Sequence, residues 1–363
     1  MRYAICILLL VVIGCTAVSA DDTIKDYYSS LPNGVTEVFP KDFEEKLEED
    51  SVSALETLDA EYVLTFLLDT LKSALRESAS DVGMLVCIII ISSVMLSFSD
   101  NIPYKPMLAV SSFSVIGCML ETIKPMTELV KTQLEGTGTI MKLSIPVMTA
   151  VGTAAGQPSS SVVNALWLNT ALTLMQQLTE SILFPLISVC VALTVASSIA
   201  RFNGNNSLNG TVVTLKKTFI FLITLISVVF TTIMSFQNIV AKGSDTVLLR
   251  SIKFASGSAI PIIGGALSEA AGAYLSGVSL VKGSLGTLCA VCIVISVLPI
   301  IVRLFALKIA LSFSAFLCDI LGGTVSADIR EFTSIIDLLI SVSVLCSMMF
   351  MIAAGTFAST LPA

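Results

Sequence analysis

Two sets of polar side chains sit at helical spacing inside otherwise apolar sequence. In NALWLNTALTLMQQLTE, residues 164–180, Asn169, Thr173, Gln176 and Glu180 fall at i, i+4, i+7 and i+11, one face of a helix, with Asn164 and Gln177 beside it. In AIPIIGGALSEAAGAYLSGVSLVKGSLG, residues 259–286, helical geometry puts Gly265, Glu269, Gly272 and Ser276 at the same intervals. Small residues let a second backbone approach or leave room for water, and a carboxylate points the same way. Glu269 facing lipid at the bilayer centre would cost several kcal/mol, so it must face protein or a wet cavity. Gly264 and Gly265, just after Pro261, can break the helix there. The two stripes either pair with each other, which is structural, or line a polar route, which is functional. Asp319 and Asp337 are weaker candidates near span ends, and Arg303 and Lys308 either snorkel to an interface or pair with such acids.

The elements that must position these residues are membrane helices. The chain has 363 residues, 13% of them charged, and a mean hydropathy of +0.91, too apolar for a soluble domain of this length. Apolar runs at 82–98, 218–236, 285–302 and 338–358 approach or reach the roughly 20 residues needed to cross about 30 Å of hydrocarbon. Further spans are expected at 107–120, 161–179, 181–200 and 304–323. The runs lack the alternation of barrel strands. The expected fold is all-α, a polytopic helical bundle over 81–363 with roughly seven to ten segments.

Residues 145–156 (IPVMTAVGTAAG) and 260–272 (IPIIGGALSEAAG) share Ile-Pro, a small-residue core and a closing Ala-Ala-Gly. Doubled Gly/Pro-interrupted segments of this kind predict broken helices near 140–157 and 257–282. Residues 1–20 read as a signal peptide cleaved after Ala20, or as a lipoprotein signal with Cys15 acylated; either delivers the next segment outside the cytoplasm. That segment, 21–80, holds 15 acids and 5 bases and is expected to be an extracytoplasmic helical region. Its amphipathic helices form a solvated collar or a docking surface for a basic partner. The connection 201–217 carries three bases and no acids, which places it in the cytoplasm. An odd number of crossings then separates the two, so 140–157 must itself cross.

Chemistry of other kinds is poorly supplied. The absence of histidine removes the Ser-His-Asp arrangement and most zinc sites, and no G-x-x-x-x-G-K-[ST] occurs. No enzyme, no cofactor, no metal site and no nucleic-acid partner are expected. Cys289 and Cys292 match C-x-x-C but lie within an apolar segment, where packing is the better account than redox chemistry.

The stretches IPVMTAVGTAAGQPSSSVVN (145–164), AIPIIGGALSEAAGAYLSGVSLVKGSLG (259–286) and VLPIIVRLFALKIALSFSAFLCDILGG (297–323), after an acidic exported region, resemble the stage III sporulation protein AE family. The resemblance implies a protein of the mother-cell membrane around the forespore in a spore-forming bacterium. It implies work with other proteins of the same operon, including an ATPase, and with a forespore-side channel protein, in a secretion-like channel. It carries no active site. Secondary transport at the broken helices, and a scaffold that recruits partners, are the competing readings.

Overall fold

The computed structural model describes residues 27–31, 36, 39, 40, 43, 46, 60–97, 104–154, 158–202, 207–259, 264–321 and 325–358, with backbone only along 237–285. Helices α1 (Ala60–Ser97), α2 (Tyr104–Ala154) and α3 (Pro158–Leu178) are followed by a π-turn at Thr179–Leu183. Helices α4 (Phe184–Phe202), α5 (Ser207–Ala259), α6 (Gly264–Ile320) and α7 (Ser326–Ala358) complete the chain, and no strand occurs among the described residues. Five stretches are long and apolar enough to cross a membrane: Leu64–Val94, Ser161–Arg201, Leu208–Phe236, Leu288–Ile320 and Ser326–Gly355.

Several expected boundaries are replaced by continuous helix. The spans expected at 161–179 and 181–200 are one helical path, and so are those at 285–302 and 304–323. The first pair is joined by the π-turn, in which the Phe184 N–H donates to the Thr179 carbonyl. Pro185 follows immediately and has no N–H to give, so a widened turn absorbs the missing bond without ending the helix. The expected span at 107–120, the connection after it and most of 140–157 form the single helix α2, which passes through Pro125 and Pro146 and ends at Ala154. Near Pro146, the Ser144 hydroxyl donates to the Met141 carbonyl at 2.7 Å and Thr149 to the Ile145 carbonyl at 2.6 Å, the kind of local bonding that lets an apolar helix tolerate proline. Near 257–282, α5 stops at Ala259 and α6 starts at Gly264.

Helices α6, α7 and α2 form the centre, with α1 on α6, and α3 between α2 and α5. Leu304, Leu307 and Leu311 of α6 meet Ile335, Ile336 and Leu339 of α7, all fully buried. Lys308 pairs with Asp337, and Asp319 with Arg330, so α6 and α7 run antiparallel. Arg303 meets Glu77 of α1 at 3.1 Å. Helix α2 meets α7 where Gln133 accepts from Ser343 (2.7 Å) and donates to Ser347 (3.2 Å), and meets α6 where Cys289 faces Met141. Moving from Gln133 to Met141 therefore runs against α6 and along α7.

Part of the acidic stretch 21–80 reaches into this core. Tyr28, Phe39 and Phe43 stack edge-on and tilted with centroids 4.6–5.5 Å apart, and all three are buried in the same cluster as Cys289 and Cys292. Tyr27 is buried beside Cys289, and burial first, then that thiol, pushes its phenol far above the ordinary value. The expected collar thus has an aromatic anchor; its residues 47–59 lie outside the described residues.

Lipid tails are as apolar as leucine, so helix association here draws on packing and interhelical hydrogen bonds. Gln133→Leu is expected to lower stability by about 1–2 kcal/mol, read by denaturant unfolding in detergent. The buried Tyr27 hydroxyl has no hydrogen-bond partner within ordinary distance. Tyr27→Phe is accordingly expected to leave stability unchanged or raise it by about 1 kcal/mol in the same assay.

Candidate functional site

The 3–4 repeat of α2 sorts its residues onto opposed faces. Ile116, Met119, Ile123, Met126, Val130, Gln133, Thr137 and Ile140 are buried against α6 and α7. On the far side, Glu121, Lys124, Glu128, Lys131, Glu135, Gly138 and Lys142 repeat at intervals of three and four residues. The five charges other than Lys131 are exposed, and Lys131 is half-buried. From Glu121 to Lys142 the stripe covers about 32 Å at 1.5 Å per residue, close to the hydrocarbon thickness of about 30 Å. Its midpoint adjoins Gln133, which bonds to the middle of the apolar stretch Ser326–Gly355. A charged stripe therefore runs along one side of a bundle whose neighbouring helices are membrane-like.

Helix α3 lies along one edge of that stripe. Lys142 Nζ donates to Gln176 Oε1 at 2.8 Å, and the Gln176 amide lies over Gly138, where a Cβ would already touch it at 3.8 Å. Lys131, Glu135, Gln176 and Glu180 surround a cleft of about 10 Å³, room for about one water, backed by Phe184 and Phe350. Among the described residues, none of the α2 charges has an opposite charge within 4.0 Å. The stripe is thus an ionic surface only partly answered from within the chain.

Of the residues singled out from sequence, Asn169, Thr173 and Glu180 are exposed and Gln176 is half-buried, so that stripe faces outward along the α2 seam. Thr173 returns its hydroxyl to the Asn169 carbonyl at 2.8 Å. Asn164, beside them in sequence, is buried. Gly264, Gly265, Glu269, Gly272 and Ser276 lie on the first turns of α6, where only the backbone is described; Glu269 precedes Cys289 by about 30 Å of helix. The charged face of α2 was missed because a span ending at 120 turns the next twenty residues into a connection. Its signal is the alternating charge at heptad intervals in ETIKPMTELVKTQLEGTGTIMK.

A rival groove of about 420 Å³ lies along Thr224, Ser227, Thr231 and Ser235 of α5. Each of these hydroxyls donates to its own helix four residues back, so the groove leaves little polar demand unmet. A separate ionic network closes the other end of the bundle. Arg201 at the end of α4 bridges Asp328 (2.8 Å) and Glu331 (2.9 Å) of α7, and Lys216 of α5 donates to the Glu331 carbonyl at 3.0 Å and to Ser334.

The sequence model described as stage III sporulation protein AE matches residues 42–360. The chain belongs to the stage III sporulation protein AE family. No curated protein and no solved structure matches it significantly. In this member of the stage III sporulation protein AE family, the α2–α3 seam and the Arg201 network are the two concentrations of charge that the described helices build. Arg201→Ala strands Asp328 and Glu331, which are largely shielded from solvent, and is expected to cost up to about 3 kcal/mol, measured by thermal unfolding in detergent.

Proposed function

We propose that this protein is a non-enzymatic membrane component of a secretion-like channel between mother cell and forespore, and that the α2–α3 seam is part of the wall of the passage. The observation that carries the reading is a charged stripe of about 32 Å on the outside of an apolar bundle. Charges at that height are expensive against lipid and cheap against water or protein. Membership of a sporulation family supplies the setting. The absence of a P-loop motif from the sequence means that this route to nucleotide hydrolysis must come from a partner, for which an ATPase of the same operon is the natural source.

In this reading the protein sits in the mother-cell membrane around the forespore. The Arg201–Lys216 end, rich in bases, faces the mother-cell cytoplasm, and the part of 21–80 that precedes the span beginning at Leu64 faces the intermembrane space and the forespore-side channel protein. Glu269 belongs to the same passage, nearer that space. Glu128→Gln, Glu180→Gln and Glu269→Gln, made singly in the sporulating host, are expected to leave membrane levels unchanged and to arrest late forespore development. Normal development in all three, with the protein present, would move the function to scaffolding by the exported region.

A further inference from the structure

We propose that the charged face of α2 is the docking surface for a second copy of this chain. The face lies at the height of the apolar helices beside it and cannot be left against lipid. The chain answers it only at one edge, through Gln176 and Glu180. Something outside the chain must cover the remainder.

The order of signs selects the occupant. Glu121, Lys124, Glu128, Lys131, Glu135 and Lys142 alternate and sum to zero. A partner presenting a single sign would be repelled at every other position. A stripe with the same alternation is not, because a shift of one step brings every acid against a base. Copies inserted in the same direction bring their α2 helices together in parallel. Each lysine then has a glutamate of the other copy three or four residues above or below, about 4.5–6 Å along the axis. The four-carbon lysine stem spans that offset while lying along the apolar flank. Pairs formed this way are withdrawn from water and from lipid together, where charge complementarity sets register and excludes the wrong neighbour. The inference refines the channel reading: the α2 charges close the wall against the next copy, and the α3 edge with Gln176 and Glu180 is left to face the passage.

The test uses the full chain in lipid nanodiscs and liposomes, with self-association followed by fluorescence energy transfer between labelled copies. Three variants are compared with the unchanged chain: Glu128→Lys with Glu135→Lys, Lys124→Glu with Lys131→Glu, and all four together. Each of the first two alone is expected to associate about tenfold more weakly or worse, and a mixture of the two is expected to recover association. The fourfold exchange keeps the zero sum and the alternation from 124 to 135, and is expected to recover most of the association of the unchanged chain. As a check that leaves the remaining charges in place, Glu128→Cys is expected to cross-link between copies under mild oxidation, while Phe221→Cys on the outer face of α5 is not. Unaltered association of the first two variants, a monomeric unchanged chain, or failure of the fourfold exchange to associate would each overturn the proposal, the second by showing that a different protein covers the face.

Discussion

An ionised side chain has no stable place against hydrocarbon, and α2 presents six of them over the height of the bundle. The architecture around it follows from that constraint. The apolar face of α2 packs on α6 and α7, with α3 and α1 at its sides and Gln133 bonded to Ser343 and Ser347 fixing its height. Helix α3 lies along the seam so that its own amides and Glu180 meet charges and not lipid tails. Turning α2 by half a turn would bury six charges and expose its methionines and isoleucines, so its rotation is strongly specified even though the membrane gives little net drive for helix association.

The two ends of the bundle are held by different physics. At one end Arg201 and Lys216 tie α4, α5 and the start of α7 into an ionic knot with few degrees of freedom. At the other, Tyr27, Tyr28, Phe39 and Phe43 pack into the core near Cys289, a contact of shape and not of charge. Directional bonds hold the first end, and an aromatic cluster brought from a distant part of the chain fills the second. The buried C-x-x-C pair belongs to that packing: Cys289 and Cys292 are free thiols, and Cys289 faces Met141 and Tyr27.

The membrane class, the helical fold and the shared helical face of Asn169, Thr173, Gln176 and Glu180 were legible because composition and period are local properties; the outward direction of that face was not. The lengths of the helices were not. Pro146 read as a break, yet hydroxyls and neighbouring helices absorb it, and Pro125, Pro185 and Pro299 likewise lie within continuous helical paths, so separate expected spans are joined. The charges of 121–142 argued for a connection because a span is expected to be apolar all round. Only the packing of the opposite face against α6 and α7 shows that they lie on a core helix. Tyr27 and its aromatic neighbours were hidden for the opposite reason, since nothing in their own surroundings signals a contact with residues more than two hundred positions away.

The π-turn at Thr179–Leu183 sets the phase between two surfaces. Upstream of it, α3 is rotated to serve the seam with α2; downstream, α4 is rotated to deliver Arg201 to Asp328 and Glu331. A turn of this width holds one residue more than an α-turn at nearly the same phase. Loss of one residue within Thr179–Leu183 would return a plain α-turn there, while loss of one from the α-helix on either side would swing everything beyond it by about 100°. Between the seam and the Arg201 network, this turn is therefore the place where the chain can change its length by one and still serve both surfaces.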